Sequence, residues 1–280
     1  MCLEGEPQAR RKGMKLIMFK REIKINLKSF IIWLSILIAI FLVVFLIYPS
    51  IINSDNIKMM DEMMEVFPKE MLKAFNMDIS SIASAYGWLK SEGFVFVLLI
   101  IGCYSGILGS NILLKEENDK TIEYLNSLPI KRNQIVINKA LSGYIYIILM
   151  IVLLGIFNYI GLSLSGDFNH KQYILLSITP IFSSSIIYFL CMFLSTFTNK
   201  TKKMLGVSLG FIFISYILQM LSSLSDSVKF LKYFSIFTLS DIRNVITDIS
   251  INPIMVAISI IISAVLLLLT IIHYNRKEFI

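Results

Sequence analysis

Charge is scarce in this chain of 280 residues: Asp, Glu, Lys and Arg make up 16%, against about 25% in soluble domains. Cysteine numbers three. Cys103 and Cys191 fall inside apolar blocks and Cys2 stands at the start, which excludes a disulfide framework and a CxxC metal site. The two histidines, His170 and His273, lie too far apart in the order of segments to share a metal. No Gly-x-x-x-x-Gly-Lys phosphate loop occurs, so the chain does not cradle ATP phosphates in that manner by itself. What is abundant is apolar sequence: 56% hydrophobic residues, with mean hydropathy +0.75.

The apolar residues fall in six blocks, 30–48, 94–114, 141–164, 173–197, 204–224 and 253–273, each close to the ~20 residues a helix needs to cross a hydrocarbon core. Their lengths, and the lack of period-2 alternation, favour helices over a barrel. The predicted fold is all-α, a single six-helix transmembrane domain over residues 14–280. Residues 1–13 read as a leader unrelated to the rest of the chain, with Met14 opening a conventional Met-Lys-Leu-Ile start, and they are set apart. Lys and Arg number 18 on the side of the termini and 8 on the other. The positive-inside rule then puts both termini in the cytoplasm of a cell membrane, and the net charge of +7 is explained by topology without nucleic acid.

Lys15 to Lys28 reads as an amphipathic helix lying flat on the inner leaflet. Leu16, Phe19, Ile23 and Leu27 recur at helical spacing, and Lys20, Arg21, Lys24 and Lys28 take the other face. The same composition serves equally as a basic flank of the first span.

No Asp, Glu, Lys or Arg stands within the six blocks, where ion-coupled transporters keep relay groups. Intramembrane catalysis lacks an acid, base or metal ligand set. The Glu116-Glu117 pair superficially matches membrane CAAX-type proteases, but Thr121 stands where that motif has Arg. Gly102-x-x-x-Gly106 and Gly206-x-x-x-Gly210 permit close helix packing, expected within the chain.

The segment from Lys115 to Lys139 is organised as two short helices. Asn118 or Asp119 can cap the first, Ile122, Leu125 and Leu128 repeat along one face, and Pro129 stops it; the second runs from about Arg132 into the third span. Such an apolar stripe is buried against its own spans or against another protein.

The order of the acidic pair, Thr121, Glu123, Leu125, Ser127-Leu128-Pro129, Lys131-Arg132 and Lys139 resembles the first cytoplasmic loop of type-2 ABC transporter permeases. The basic start, six spans, long external loop and short basic tail resemble that family's layout over residues 14–280. The family often has Gly or another small residue where this chain has Lys120. The resemblance implies a permease subunit of an ATP-driven exporter, paired with a second copy or a sister permease. Its coupling helix would dock on a separate ATP-binding subunit that carries the ATP and Mg. Carried over as contacts are Glu117 and Glu123 (polar), Thr121, Leu125 (apolar anchor) and Pro129 (helix stop). No catalytic, cofactor or metal residue is assigned to this chain. The uncharged blocks suit amphiphilic or apolar cargo, though Asn111, Asn158 or Gln219 could serve a polar one.

Outside, Met59, Met60, Met63 and Met64 share helical spacing, which suits packing on the bundle or lipid better than a soft-metal site. Ser240 to Ile249 reads as an external helix capped by Ser240. Two rival functions remain: a structural or regulatory membrane protein without a pathway, and an intramembrane enzyme.

Overall fold

The computed structural model describes residues 5–51, 62, 66, 84–122, 130–224 and 226–277. All regular structure among them is helical, and six helices are long and apolar enough to cross a membrane. They are α1 (Gly5–Ile51), α2 (Ala85–Asn118), α3 (Arg132–Ser165), α4 (His170–Ser195), α5 (Thr201–Ser222) and, after a short external α6 (Arg243–Asp248), α7 (Pro253–Arg276). The expected six spans are all present. The four methionines at 59, 60, 63 and 64 lie outside the described residues.

One expectation is corrected by α1. No Gly or Pro interrupts the sequence between Lys15 and Tyr48, so nothing breaks the helix. It runs 47 residues, about 70 Å at 1.5 Å per residue. The basic stretch continues the axis of the first span instead of forming a separate helix across the leaflet.

At the centre of the bundle, α4 packs on α2, α3, α5 and α7. Tyr188 is fully buried there and its hydroxyl donates to the Ala140 carbonyl at 3.1 Å. Two glycines make this seat possible: a Cβ at Gly109 would collide with the Tyr188 carbonyl oxygen, and one at Gly143 with its hydroxyl. Of the glycines singled out in the sequence, Gly102 and Gly106 also pack inside the chain, against Phe237 and against Ile212, whose Cδ1 would lie 2.7 Å from a Cβ at Gly106. Gly206 and Gly210 do not follow the expected intrachain use: a Cβ on either would meet nothing within 4 Å.

After α5 the chain packs back on that helix as a 3-10 segment, Asp226–Phe234, and then enters the bundle as a second one, Ile236–Ser240. Irregular backbone at this depth is tolerated only where protein groups satisfy it, and serines do so. Ser235 Oγ donates to the Ser215 carbonyl at 2.7 Å, and Ser215 Oγ accepts from Ile236 N–H at 2.9 Å. Ser240 is no helix cap. It is buried, and its hydroxyl donates to the Thr179 carbonyl (2.8 Å) while accepting from Ser183 N–H (3.1 Å). A side-chain oxygen thus sits in the i to i−4 ladder of α4 where Pro180 interrupts the helix. The external helix begins only at Arg243.

Candidate functional site at the basic end

The starts of α1, α3 and α5 and the ends of α2, α4 and α7 gather at one end of the bundle, around the segment that joins α2 to α3. Helix α2 ends as a Schellman motif. Asn118 is its last residue and Asp119 its C-cap, Lys120 N–H donates to Glu117 O at 3.3 Å, and Thr121 N–H donates to Glu116 O at 2.8 Å. Asn118 and Asp119 therefore close this helix; residues 123–129 of the helix they were expected to cap lie outside the described residues. Lys120 takes the left-handed position of the motif, with φ +53°, where glycine is unstrained. Lys120→Gly is expected to stabilise the fold by about 0.5–1 kcal/mol, read as a rise in the thermal midpoint in detergent; no rise would mean that Lys120 makes compensating contacts.

Beneath this turn lies a buried ion cluster. Lys139 of α3 is fully buried, and its ammonium donates to Glu116 Oε1 of α2 at 2.6 Å, Glu22 Oε1 of α1 at 3.3 Å and the Ile112 carbonyl at 2.9 Å. All three ammonium protons are thereby used. Glu22 and Glu116 are each 2% exposed, and half-exposed Arg21 stands 4.0 Å from Glu116 Oε1. Two carboxyl groups share one ammonium here, and Arg21 adds a second cation at the rim. Three helices that are far apart in sequence are tied at one nitrogen. Tyr146 adds to the join of α1 and α3 by donating to the Ile23 carbonyl at 2.6 Å and packing its ring on Phe30.

A second polar knot lies beside the first. Lys277, just past α7, donates to both oxygens of Glu117 at 2.8 and 2.9 Å and to the Thr198 carbonyl at 3.1 Å. Both side chains of the pair are only 9% exposed. Arg132, at the start of α3, donates to the carbonyls of Asn275 (3.3 Å) and Lys277 (3.1 Å). Asn118 and Thr201 are joined by a side-chain hydrogen bond, and the His273 ring lies 4.0 Å from that of Phe197. The tail thus meets both ends of the α2–α3 connection.

Among the residues singled out in the sequence, Thr121 is exposed, and Ile122 is buried with Met18 and Ile135 in a small apolar cluster on the chain's own helices. Glu123, Leu125 and Pro129 lie outside the described residues. Glu117 is placed differently from the expected outward contact: its carboxylate turns in toward Lys277. Of the residues named for polar cargo, Gln219 accepts from Thr238 at 2.7 Å, while Asn158 is 4% exposed with an unpartnered Oδ1.

Sequence reasoning missed that Lys139 pairs with Glu22 and Glu116, and Lys277 with Glu117. A signal for Glu22 was present: it is the lone acid in the basic stretch 15–28, and it lies on the same side as Met18 at i, i+4 spacing.

The family model described as ABC-2 family transporter protein matches residues 16–279. The chain belongs to the ABC-2 transporter family. No curated protein matches the chain. Membership makes it a membrane protein and a permease of the ABC transporter class, and the six apolar helices agree. Permeases of the ABC-2 family work with ATP-binding subunits. The segment between Asn118 and Arg132 is, in this ABC-2 permease, the connection whose base carries both polar knots.

Proposed function

We propose that this ABC-2 permease is the transmembrane subunit of an ATP-driven exporter, with both termini in the cytoplasm of a cell membrane. The connection 119–131 acts as its coupling helix on a separate ATP-binding subunit. The observation that carries this reading is the placement of that connection. It leaves the bundle at the end where buried ion pairs join α1, α2, α3 and the tail, and a Lys277 hydrogen bond to the Thr198 carbonyl adds the α4–α5 turn, so a push on it reaches those elements together.

The basic character of that end, with 18 Lys and Arg against 8 opposite, supports the orientation. Thr121, Glu123, Leu125 and Pro129 are the proposed contacts. Leu125 is the apolar anchor, because a leucine filling a pocket contributes more binding energy than rim charges do. ATP and Mg belong to the partner. Two permeases, identical or sister chains, complete the pathway. Cargo of amphiphilic or apolar character suits spans whose centres carry no charge.

The test is co-purification in detergent with the ATP-binding subunit encoded beside this chain. Leu125→Asp is expected to lower retention at least about tenfold, the result of burying an unpaired carboxylate, with membrane insertion unchanged. Glu123→Ala is expected to weaken it by a few-fold at most. Equal retention of native and Leu125→Asp chains would remove the coupling assignment. Absence of any ATP-binding partner would favour a structural or regulatory membrane protein.

A further inference from the structure

We infer that Glu117 and Lys277 form a clasp through which the C-terminal tail sets the position of the coupling segment, making Glu117 a positioning residue and not a contact for the ATP-binding subunit. This rests on the coupling role proposed above for residues 119–131.

The geometry is specific at both ends of the segment. Before it, both Glu117 oxygens are engaged by one ammonium, and the two side chains are nine-tenths buried. A carboxylate so occupied offers little to an external partner. After it, Arg132 holds the carbonyls of residues 275 and 277. Lys277 therefore bridges the exit from α2 and the entry to α3. Through the Thr198 carbonyl it also reaches the α4–α5 turn. Glu117 O accepts the Lys120 N–H bond of the Schellman turn, so a shift of Glu117 moves the first residues of the segment directly.

The cluster at Lys139 does not do this work alone. It grips Glu116, on the neighbouring side of α2, and ties it toward α1. The α1 cluster and the tail clasp hold adjacent residues on different sides of α2, and together they set the direction in which the segment leaves the bundle. Loss of the tail clasp frees one side of this support while leaving the buried cluster intact. The segment then samples more directions and docks less often in the one that transmits a nucleotide-driven movement.

A double-mutant cycle decides between a clasp and a direct contact. Glu117→Gln, Lys277→Met and the double variant are compared with the native chain, with Lys277→Arg as the conservative control. The first readout uses the permease alone: hydrogen exchange of the amides of Lys120 and Thr121. The second is retention of the co-purifying ATP-binding subunit. The clasp predicts that each single variant speeds exchange at those amides at least about tenfold and lowers retention by a similar factor. The double variant does no worse than either single one, and Lys277→Arg stays near native.

Additive losses of retention in the cycle, or a loss with Glu117→Gln that Lys277→Met does not share, would overturn the inference in favour of a direct contact. Native exchange in both single variants would also overturn it. If the native chain retains no ATP-binding subunit while the exchange results hold, the coupling reading fails and the clasp stands as a structural one, so the two failures are separable.

Discussion

Lys139→Met is expected to destabilise the fold by about 3–5 kcal/mol, a large drop in the thermal midpoint of the purified chain. The substitution keeps much of the side-chain volume but leaves Glu22 and Glu116, each 2% exposed, with no ammonium between them. Arg21 cannot replace it, because its guanidinium approaches Glu116 only to 4.0 Å from the half-exposed rim. The cost is that of two buried carboxyl groups facing each other with their shared ammonium donor gone.

The same physics makes a sharper expectation. Replacing Glu22, Glu116 and Lys139 together by methionine removes every charge of the buried triad and retains the packing. A buried ionic triad exchanged for apolar groups of similar volume is neutral or stabilising by about 1–4 kcal/mol. Thermal unfolding in detergent, followed by tryptophan emission, checks both. A Lys139→Met chain as stable as the native one would mean that the cluster carries no energetic weight in the fold. A triple variant clearly less stable than the native chain would show that the lost hydrogen bond to the Ile112 carbonyl outweighs the relief of removing the buried charges.

Gly109→Leu should cost about 3 kcal/mol or more, whereas Gly210→Leu should stay within about 0.5 kcal/mol. Both positions are helical glycines in apolar spans, and sequence gives little reason to separate them. At Gly109 the first side-chain carbon meets the Tyr188 backbone, which cannot rotate away as a side chain can. Relief requires moving α4 away from α2, and α4 is the helix on which most of the bundle packs. At Gly210 the space beyond the Cα is empty to 4 Å. Paired unfolding measurements on the two variants test this directly. Equal losses would place Gly210 against a second copy or another partner in the preparation measured.

The legible and illegible parts of this molecule divide along physical lines. Helix number and approximate bounds followed from hydropathy, because a lipid-crossing helix must be apolar along its whole length whatever it packs on. Lys139, Glu116 and Lys277 stand just outside the apolar blocks, where hydropathy gives no sign that a charge is buried. In the fold they lie within or at the ends of helices that extend past those blocks: Lys139 is inside α3, which begins at Arg132, and Glu116 is in the last turn of α2.

Ser240 was misread for a related reason. A serine before an apolar, helix-spaced run is the usual cap. Nothing local says that the chain dips back and inserts its hydroxyl between Thr179 and Ser183. The continuity of α1 was available in principle, since helix breakers are missing between Lys15 and Tyr48.

Sequence by itself determined that this chain is an all-helical membrane protein with six spans and a resemblance to the ABC-2 permeases. Those features rest on composition, hydropathy and local residue order, which need no knowledge of neighbours. Tertiary structure decided which charges are buried together, which glycines bear on another helix, and that Glu117 faces the tail. Each of these depends on contacts between segments 23 to 160 positions apart. Pairing at that range is set by how helices dock, and the energy of a charge is set by its surroundings and not by its place in the chain.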